Sequence, residues 1–117
     1  MCKGKIYRGG IYLVNLGKRT GSVQSGIRPC LIIGNIVSCE CSPVVLCLPL
    51  TSQNKKDLPT HYSLSHDEHS FLWADINTIL AEQMTCVDKS QIIRFLGLIQ
   101  LKDLEKVEQI VKIAVGL

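Results

Sequence analysis

The last segment of the chain is the one segment whose apolar residues recur at clear helical spacing, and this restricts the fold more than any other feature. The residues that share one face of this predicted helix, Lys102–Leu117, are Leu104, Val107, Val111, Ala114 and Val115. Short apolar runs precede it, separated by polar or glycine-rich segments, which is typical of strands. The predicted strands are Ile11–Leu16, Pro29–Asn35, Val44–Leu50, His61–Leu64, Asp75–Gln83 and Ile92–Ile99. Strands without helical crossovers between them favour an antiparallel barrel or curled sheet with one helix against it.

The length of 117 residues predicts a single domain over residues 1–117. Asp88 is a candidate cap for a short helical turn at 88–90, and Gly97 predicts a bend or a close backbone approach. On the C-terminal helix, Ile110, Ile113 and Leu117 widen the apolar arc. This predicts either a deeply buried helix or a second contact surface, such as a dimer interface, and both alternatives stay open.

Charge and hydropathy limit the possible partners only loosely. The net charge of +3 permits an anionic partner but does not require one. The start of the chain, Met1–Lys5, does not resemble a secretion signal, and we see no apolar run long enough to cross a bilayer. We therefore expect a cytoplasmic protein with no membrane partner.

Two clusters have residue types that bind metals, but neither has the spacing of a known site. Cys39 and Cys41 are separated by one residue, and no second pair matches them. His66–His69 lies in a polar stretch that we interpret as a solvated loop, and we interpret His61 as structural. The sequence therefore predicts no metal, no other cofactor and no disulfide framework.

Four ordered motifs resemble those of the MazF/PemK toxins, and their order and spacing hold over nearly the whole chain. They are Arg8–Tyr12, Gly21–Pro29, Pro49–Ser52 with Leu58–His61, and Glu82–Gln83 with Val87–Ser90. The resemblance implies an SH3-like barrel of the MazF/CcdB type and a homodimer. It also implies sequence-specific, metal-independent cleavage of single-stranded RNA such as mRNA, and inhibition by a cognate antitoxin.

Arg28 and Thr51 match the catalytic arginine and threonine of that family. A guanidinium can meet two phosphate oxygens at once when a 2′-hydroxyl attacks the adjacent phosphorus. A compact hydroxyl can hold the same phosphate. The expected products have a 2′,3′-cyclic phosphate, or a 3′-phosphate, and a 5′-hydroxyl. Without the motif, Arg28 would be an exposed strand residue and Thr51 a turn hydroxyl, and the general base is not identified.

Further polar residues are predicted to contact RNA, because single strands expose their base edges. They are Ser22, Gln24, Lys55, Lys56, Glu82 and Gln83. The alternative is that they are ordinary polar residues at strand ends and in solvated loops. We interpret Trp73 as a residue that packs in the core or against a partner, with base stacking as the alternative. Val23 and Thr85 depart from the family pattern, which leaves the recognition sequence open.

Two other functions fit a domain of this shape. A gyrase poison of the CcdB branch would act through a C-terminal tail containing tryptophan, whereas this chain ends in Ala114–Leu117. A degenerate toxin would bind RNA or an antitoxin without cutting, but the presence of both Arg28 and Thr51 disfavours it.

Overall fold

The computed structural model describes residues 5–53 and 57–117. The strands are β1 (Gly10–Asn15), β2 (Ile27–Ile32), β3 (Val44–Thr51), β4 (His61–Ser65), β5 (Ile76–Leu80), β6 (Thr85–Asp88) and β7 (Ile92–Leu98). The helices are α1 (Ile36–Cys41) and α2 (Leu101–Val115), with 3₁₀ turns at Ala81–Gln83 and Lys89–Gln91. No helix among the described residues is long and apolar enough to cross a membrane.

The strands form one antiparallel sheet in the order β4-β5-β3-β2-β1-β7, and β6 also pairs with β3. The predicted antiparallel fold with a C-terminal helix is therefore confirmed. Three details differ from the prediction. Helix α1 and strand β6 were not predicted, and the segment predicted as a strand over Asp75–Gln83 leaves the sheet after Leu80.

Alternating side chains of the central strands fill two separate cores, as the two-residue period of a strand requires. Ile11, Leu31 and Leu48 face the first core, together with Val107 and Ile110 of α2. The second core, on the opposite face, is formed mainly by Tyr12, Val14, Cys30, Ile32, Val45 and Cys47. Because both faces are covered, the central strands are apolar almost throughout.

Only part of the apolar surface of helix α2 is buried. Val107 and Ile110 are buried, whereas Ile113, Val115 and Leu117 are exposed. The deeply buried helix is therefore wrong as a description of the single chain. The helix ends at Gly116, whose left-handed backbone suits glycine.

The N-terminus of α2 is fastened by a buried polar cluster. Tyr62 of β4 donates its hydroxyl hydrogen to Asp103 Oδ1 at 2.5 Å. The ring of His69, which is only 1% exposed, accepts a hydrogen bond from the Gln100 backbone N–H at 3.3 Å. Leu72, three residues further on, is also buried. The interpretation of His66–His69 as a solvated loop is therefore wrong for His69.

Two predicted local features are confirmed. The Asp88 carboxylate accepts a hydrogen bond from the Ser90 backbone N–H at 2.8 Å and caps the following 3₁₀ turn. The ring of Phe71 lies so close to Gly97 that a side chain at Gly97 would overlap it.

Candidate active site

The pairing of β2 with β3 brings Arg28 and Thr51 together. Cys30 is paired with Pro49, and Ile32 with Cys47. Continuing the same antiparallel register by two residues places Arg28 opposite Thr51. Both residues line one open cavity of about 270 Å³, so the two predicted catalytic residues share a site.

Backbone carbonyl groups on both sides hold the guanidinium of Arg28. Its Nε donates to the Ser25 carbonyl at 3.0 Å, and its Nη1 donates to the Leu50 carbonyl at 3.3 Å. Among the described residues, Nη2 has no hydrogen-bond partner, and no carboxylate pairs with the guanidinium. Arg28 therefore keeps N–H donors for an anion while its orientation is fixed.

Thr51 forms the buried end of β3 at the cavity, with 3% of its surface exposed. Its Oγ1 accepts a hydrogen bond from the Gln53 backbone N–H at 3.2 Å. Because that oxygen acts as an acceptor, the hydroxyl hydrogen remains available to donate to a bound group.

The cavity is also lined by Trp73 and Ala74 of the segment before β5 and by Asn77 of β5 itself. Trp73 is 63% exposed. Of the two packing environments predicted for Trp73, the core is therefore wrong, and packing against a partner stays a prediction. Of the described residues that line the cavity, Arg28 is the only charged one, so the cavity favours an anion. Nothing in the sequence around Trp73 predicts this position, which results from the folding of residues 66–75 onto the sheet.

Gln83 holds the long loop between β1 and β2. Its Oε1 accepts a hydrogen bond from the Gln24 backbone N–H at 2.6 Å, and its Nε2 donates to the Ser22 carbonyl at 3.2 Å. Three of the predicted RNA contacts thus touch one another. They lie outside the lining of the Arg28 cavity, and Gln24 is itself buried.

Glu82 precedes Gln83 in the same 3₁₀ turn and is bonded to residues of the segment that leads into β4. Its carboxylate accepts a hydrogen bond from the Thr60 hydroxyl at 2.7 Å and lies 2.8 Å from His61 Nε2. Burial alone would raise the pKa of Glu82, but the hydrogen bonds from His61 and Thr60 outweigh it and lower that pKa. Both carboxylate oxygens are therefore committed to contacts within the chain.

Comparisons with known proteins identify the family of the chain. A profile of the PemK-like, MazF-like toxins of type II toxin–antitoxin systems matches residues 7–115. The chain belongs to this family. The endoribonuclease MazF of Staphylococcus saprophyticus is 34% identical over 111 residues, which cover 94% of this chain and 91% of the relative. The endoribonuclease EndoA of Bacillus subtilis is 29% identical over 113 residues, which cover 96% of each chain.

Solved structures of MazF toxins share the fold. A MazF from Deinococcus radiodurans superposes with a TM-score of 0.81 at 19% identity, covering 98% of this chain and 100% of the other. A mycobacterial endoribonuclease, solved in complex with its cognate antitoxin, superposes with a TM-score of 0.76 at 22% identity, covering 94% of each chain. The MazF-type fold expected from the four motifs is confirmed.

Two of the predicted RNA contacts of this MazF-like chain, Lys55 and Lys56, lie outside the described residues.

The clusters with metal-binding residue types, Cys39/Cys41 and His66–His69, do not form a metal site. His66 Nδ1 is 2.6 Å from the Leu72 carbonyl oxygen, while the Glu68 carboxylate pairs with Lys102. Among residues 5–53 and 57–117, no three histidine, cysteine or acidic side chains are grouped so that they could hold a metal ion.

Proposed function

We propose that this MazF-type endoribonuclease cleaves single-stranded RNA, such as mRNA, sequence-specifically and without a metal ion. A 2′-hydroxyl oxygen attacks the adjacent phosphorus, the new bond forms from that oxygen to phosphorus, and the bond from phosphorus to the 5′-oxygen breaks. The 2′-hydroxyl loses its proton and the 5′-oxygen gains one. The products carry a 2′,3′-cyclic phosphate, which water can open to a 3′-phosphate, and a 5′-hydroxyl.

The observation that carries this proposal is the fixed Arg28 guanidinium in a cavity shared with Thr51. Some of its N–H groups have no partner within the part of the chain that the structure describes. Negative charge grows on the phosphate oxygens as the 2′-oxygen attacks. A donor that is already oriented toward that charge stabilises the transition state, and removal of one such donor costs about 10²- to 10³-fold in kcat. Arg28 has this role, and the Thr51 hydroxyl holds the same phosphate.

The wider RNA contacts would come from the loop between β1 and β2 and from the two lysines that follow β3. Ser22 and Gln24 lie in that loop, whose backbone Gln83 holds. Lys55 and Lys56 are suited to contact phosphate groups of the strand. Glu82 would contact a base only if it gave up one of its bonds to Thr60 or His61.

The remaining parts of the proposal concern partners. We expect the chain to act as a homodimer in the cytoplasm and to be neutralised by a cognate antitoxin. The support is family membership together with the mycobacterial relative that was solved with its antitoxin. Co-expression of a candidate antitoxin should restore growth to cells that express this chain and should abolish cleavage by the purified complex.

The deciding experiment is digestion of a long, diverse RNA by the purified chain in excess EDTA, with the cut ends mapped by sequencing. We expect cuts at a short common sequence and 5′-hydroxyl ends. Arg28→Ala and Thr51→Ala should each lose at least about 10²-fold in rate, whereas Arg94→Ala, at an exposed arginine of β7, should cut normally. An RNA pool left intact by the antitoxin-free wild-type protein would refute the proposal.

A further inference from the structure

Trp73 is a large aromatic residue that lines the Arg28 cavity and is nevertheless largely exposed to solvent. Tryptophan is on average among the more buried residue types, because its ring removes much apolar surface from water. Leaving it exposed forgoes that stabilisation. Exposure beside an anion-binding cavity therefore needs an explanation that the single chain does not supply.

The neighbours of Trp73 hold its backbone firmly. Leu72, the preceding residue, is fully buried, and its N–H donates to the His69 carbonyl at 3.0 Å. On the other side, Asn77 donates from Nδ2 to the Ala74 carbonyl at 2.9 Å. Trp73 thus stands between two anchored positions and is a fixed surface rather than part of a loose loop.

The chemistry of the cavity identifies the kind of group that would cover this ring. The lining combines a cation that suits a phosphate with an indole and the Asn77 amide, and it has no carboxylate among the described residues. A cation beside an exposed aromatic surface is the combination by which proteins bind single-stranded nucleic acids, because every base has a face that can stack. The volume of about 270 Å³ is near the lower end of ligand pockets, which suits one nucleotide.

We propose that Trp73 stacks on the base of a nucleotide next to the scissile phosphate and so fixes that phosphate against Arg28. This inference rests on the proposed ribonuclease function and adds to it a positioning residue. The stack would help to choose the cleaved position, because a base that stacks strongly holds its phosphate in place more of the time.

The test uses the fact that Trp73 is the only tryptophan in the chain. The probe is a short RNA containing a mapped cleavage site, with a 2′-deoxy nucleotide at the attacking position so that it binds without being cut. Stacking predicts that this RNA changes the tryptophan fluorescence of the full-length protein and that the change saturates. A fluorescence change that follows dilution of the protein, but not addition of RNA, would instead assign Trp73 to an interface between two copies and would overturn the proposal.

A pair of substitutions then measures the stack itself. Trp73→Leu should raise the KM for cleavable RNA about tenfold or more, whereas Trp73→Phe should have a KM close to that of the wild type. Phe95→Leu, which makes the same kind of change at another exposed aromatic residue on β7, should leave KM unchanged. The fluorescence titration and Trp73→Phe keep the test valid if Trp73→Leu folds poorly.

The decisive comparison combines these variants with an RNA in which one base next to the cleaved bond is removed. If Trp73 stacks on that base, removal of the base weakens cleavage by the wild type about tenfold. The same removal has little further effect on cleavage by Trp73→Leu. If base removal costs the same in both proteins at each of the two flanking positions, the stacking proposal fails while wild-type cleavage leaves the ribonuclease proposal intact. Absence of wild-type cleavage would reject the ribonuclease proposal, and the stacking proposal with it.

Discussion

At the scale of single residues, Arg28 shows how the fold can orient a common residue type for the chemical role that we propose. An exposed arginine in a strand contributes little by itself. Here the carbonyl groups of Ser25 and Leu50 orient the guanidinium, which lines the same cavity as Thr51. The remaining N–H groups are thus directed by contacts formed before any substrate binds, which is the preorganisation that electrostatic catalysis requires.

Glu82 should make stability depend on pH in the acid range. Its folded-state pKa lies below the ordinary value of 4.5, so it contributes stability above pH 4.5 that is lost as the pH falls through the folded-state pKa. We expect the free energy of unfolding of Glu82→Gln to fall less steeply below pH 4.5 than that of the wild type, as measured by urea denaturation at a series of pH values. Glu105→Gln, at an exposed carboxyl on α2, is the matched control and should follow the wild type. Identical slopes for all three proteins would show that the contacts with Thr60 and His61 do not stabilise the fold.

Tyr62 should make stability depend on pH at the alkaline end. Its hydrogen bond to Asp103 raises the pKa of Tyr62 from 10.0 to about 12. The folded state therefore favours the neutral phenol, so this contribution is complete below pH 10 and is lost as the pH rises toward 12. Tyr62→Phe should lower the free energy of unfolding at neutral pH by about 1.5–3 kcal/mol, the usual range for a hydrogen bond to a charged group.

Denaturation from pH 8 to 11 would check the Tyr62 prediction, with Tyr7→Phe at an exposed tyrosine as its control. The difference in free energy of unfolding between the wild type and Tyr62→Phe should become smaller as the pH approaches 11. A difference that stays constant with pH, or that Tyr7→Phe reproduces, would contradict the assignment to the bond with Asp103.

At the scale of elements, hydrogen bonds connect Gln83 to the loop between β1 and β2, and the same loop to Arg28. Gln83 bonds to the backbone at Ser22 and Gln24. The carbonyl of the next residue, Ser25, accepts the bond from Arg28 Nε. A change at Gln83 should therefore reach Arg28 without any direct contact. We therefore predict that Gln83 acts as a positioning residue, in addition to any contact with RNA.

Gln83→Ala should accelerate hydrogen exchange at the Gln24 amide and lower kcat for RNA cleavage about tenfold, since a displacement of about 1 Å at a reacting group is enough to slow catalysis substantially. Exchange measured by mass spectrometry and single-turnover cleavage would test both effects. The control is Gln109→Ala on the exposed side of α2. Unchanged exchange at Gln24 together with weaker RNA binding would leave Gln83 with a direct RNA contact only.

The elements that sequence reasoning predicted are those whose patterns are local. The apolar runs that became β2 and β3 carry their own signal, and α2 carries its helical period. Strand β6 was missed because only Val87 of its four residues is buried, and it forms through pairing with β3. The position of Trp73 in the cavity was missed for a similar reason. Its neighbours along the chain do not indicate that it lies near Arg28 and Thr51 at the ends of β2 and β3.

At the scale of the whole molecule, the two cores share the same central strands, and this should couple them. Strands β1, β2 and β3 each send alternate side chains into both cores. Loss of one core would leave one face of these strands without its partners. Residues 1–117 should therefore unfold as a single domain, in one transition.

One substitution in each core tests this coupling. Val107→Ala removes a buried side chain between α2 and the sheet, and Val45→Ala removes one from the opposite face. Each should lower the free energy of unfolding by about 2 kcal/mol, whereas Val115→Ala, at an exposed position on α2, should change it little. Far-ultraviolet circular dichroism and Trp73 fluorescence should report the same midpoint in every variant. Two separate midpoints, with only one moved by Val107→Ala, would mean that the helix side and the opposite core unfold independently.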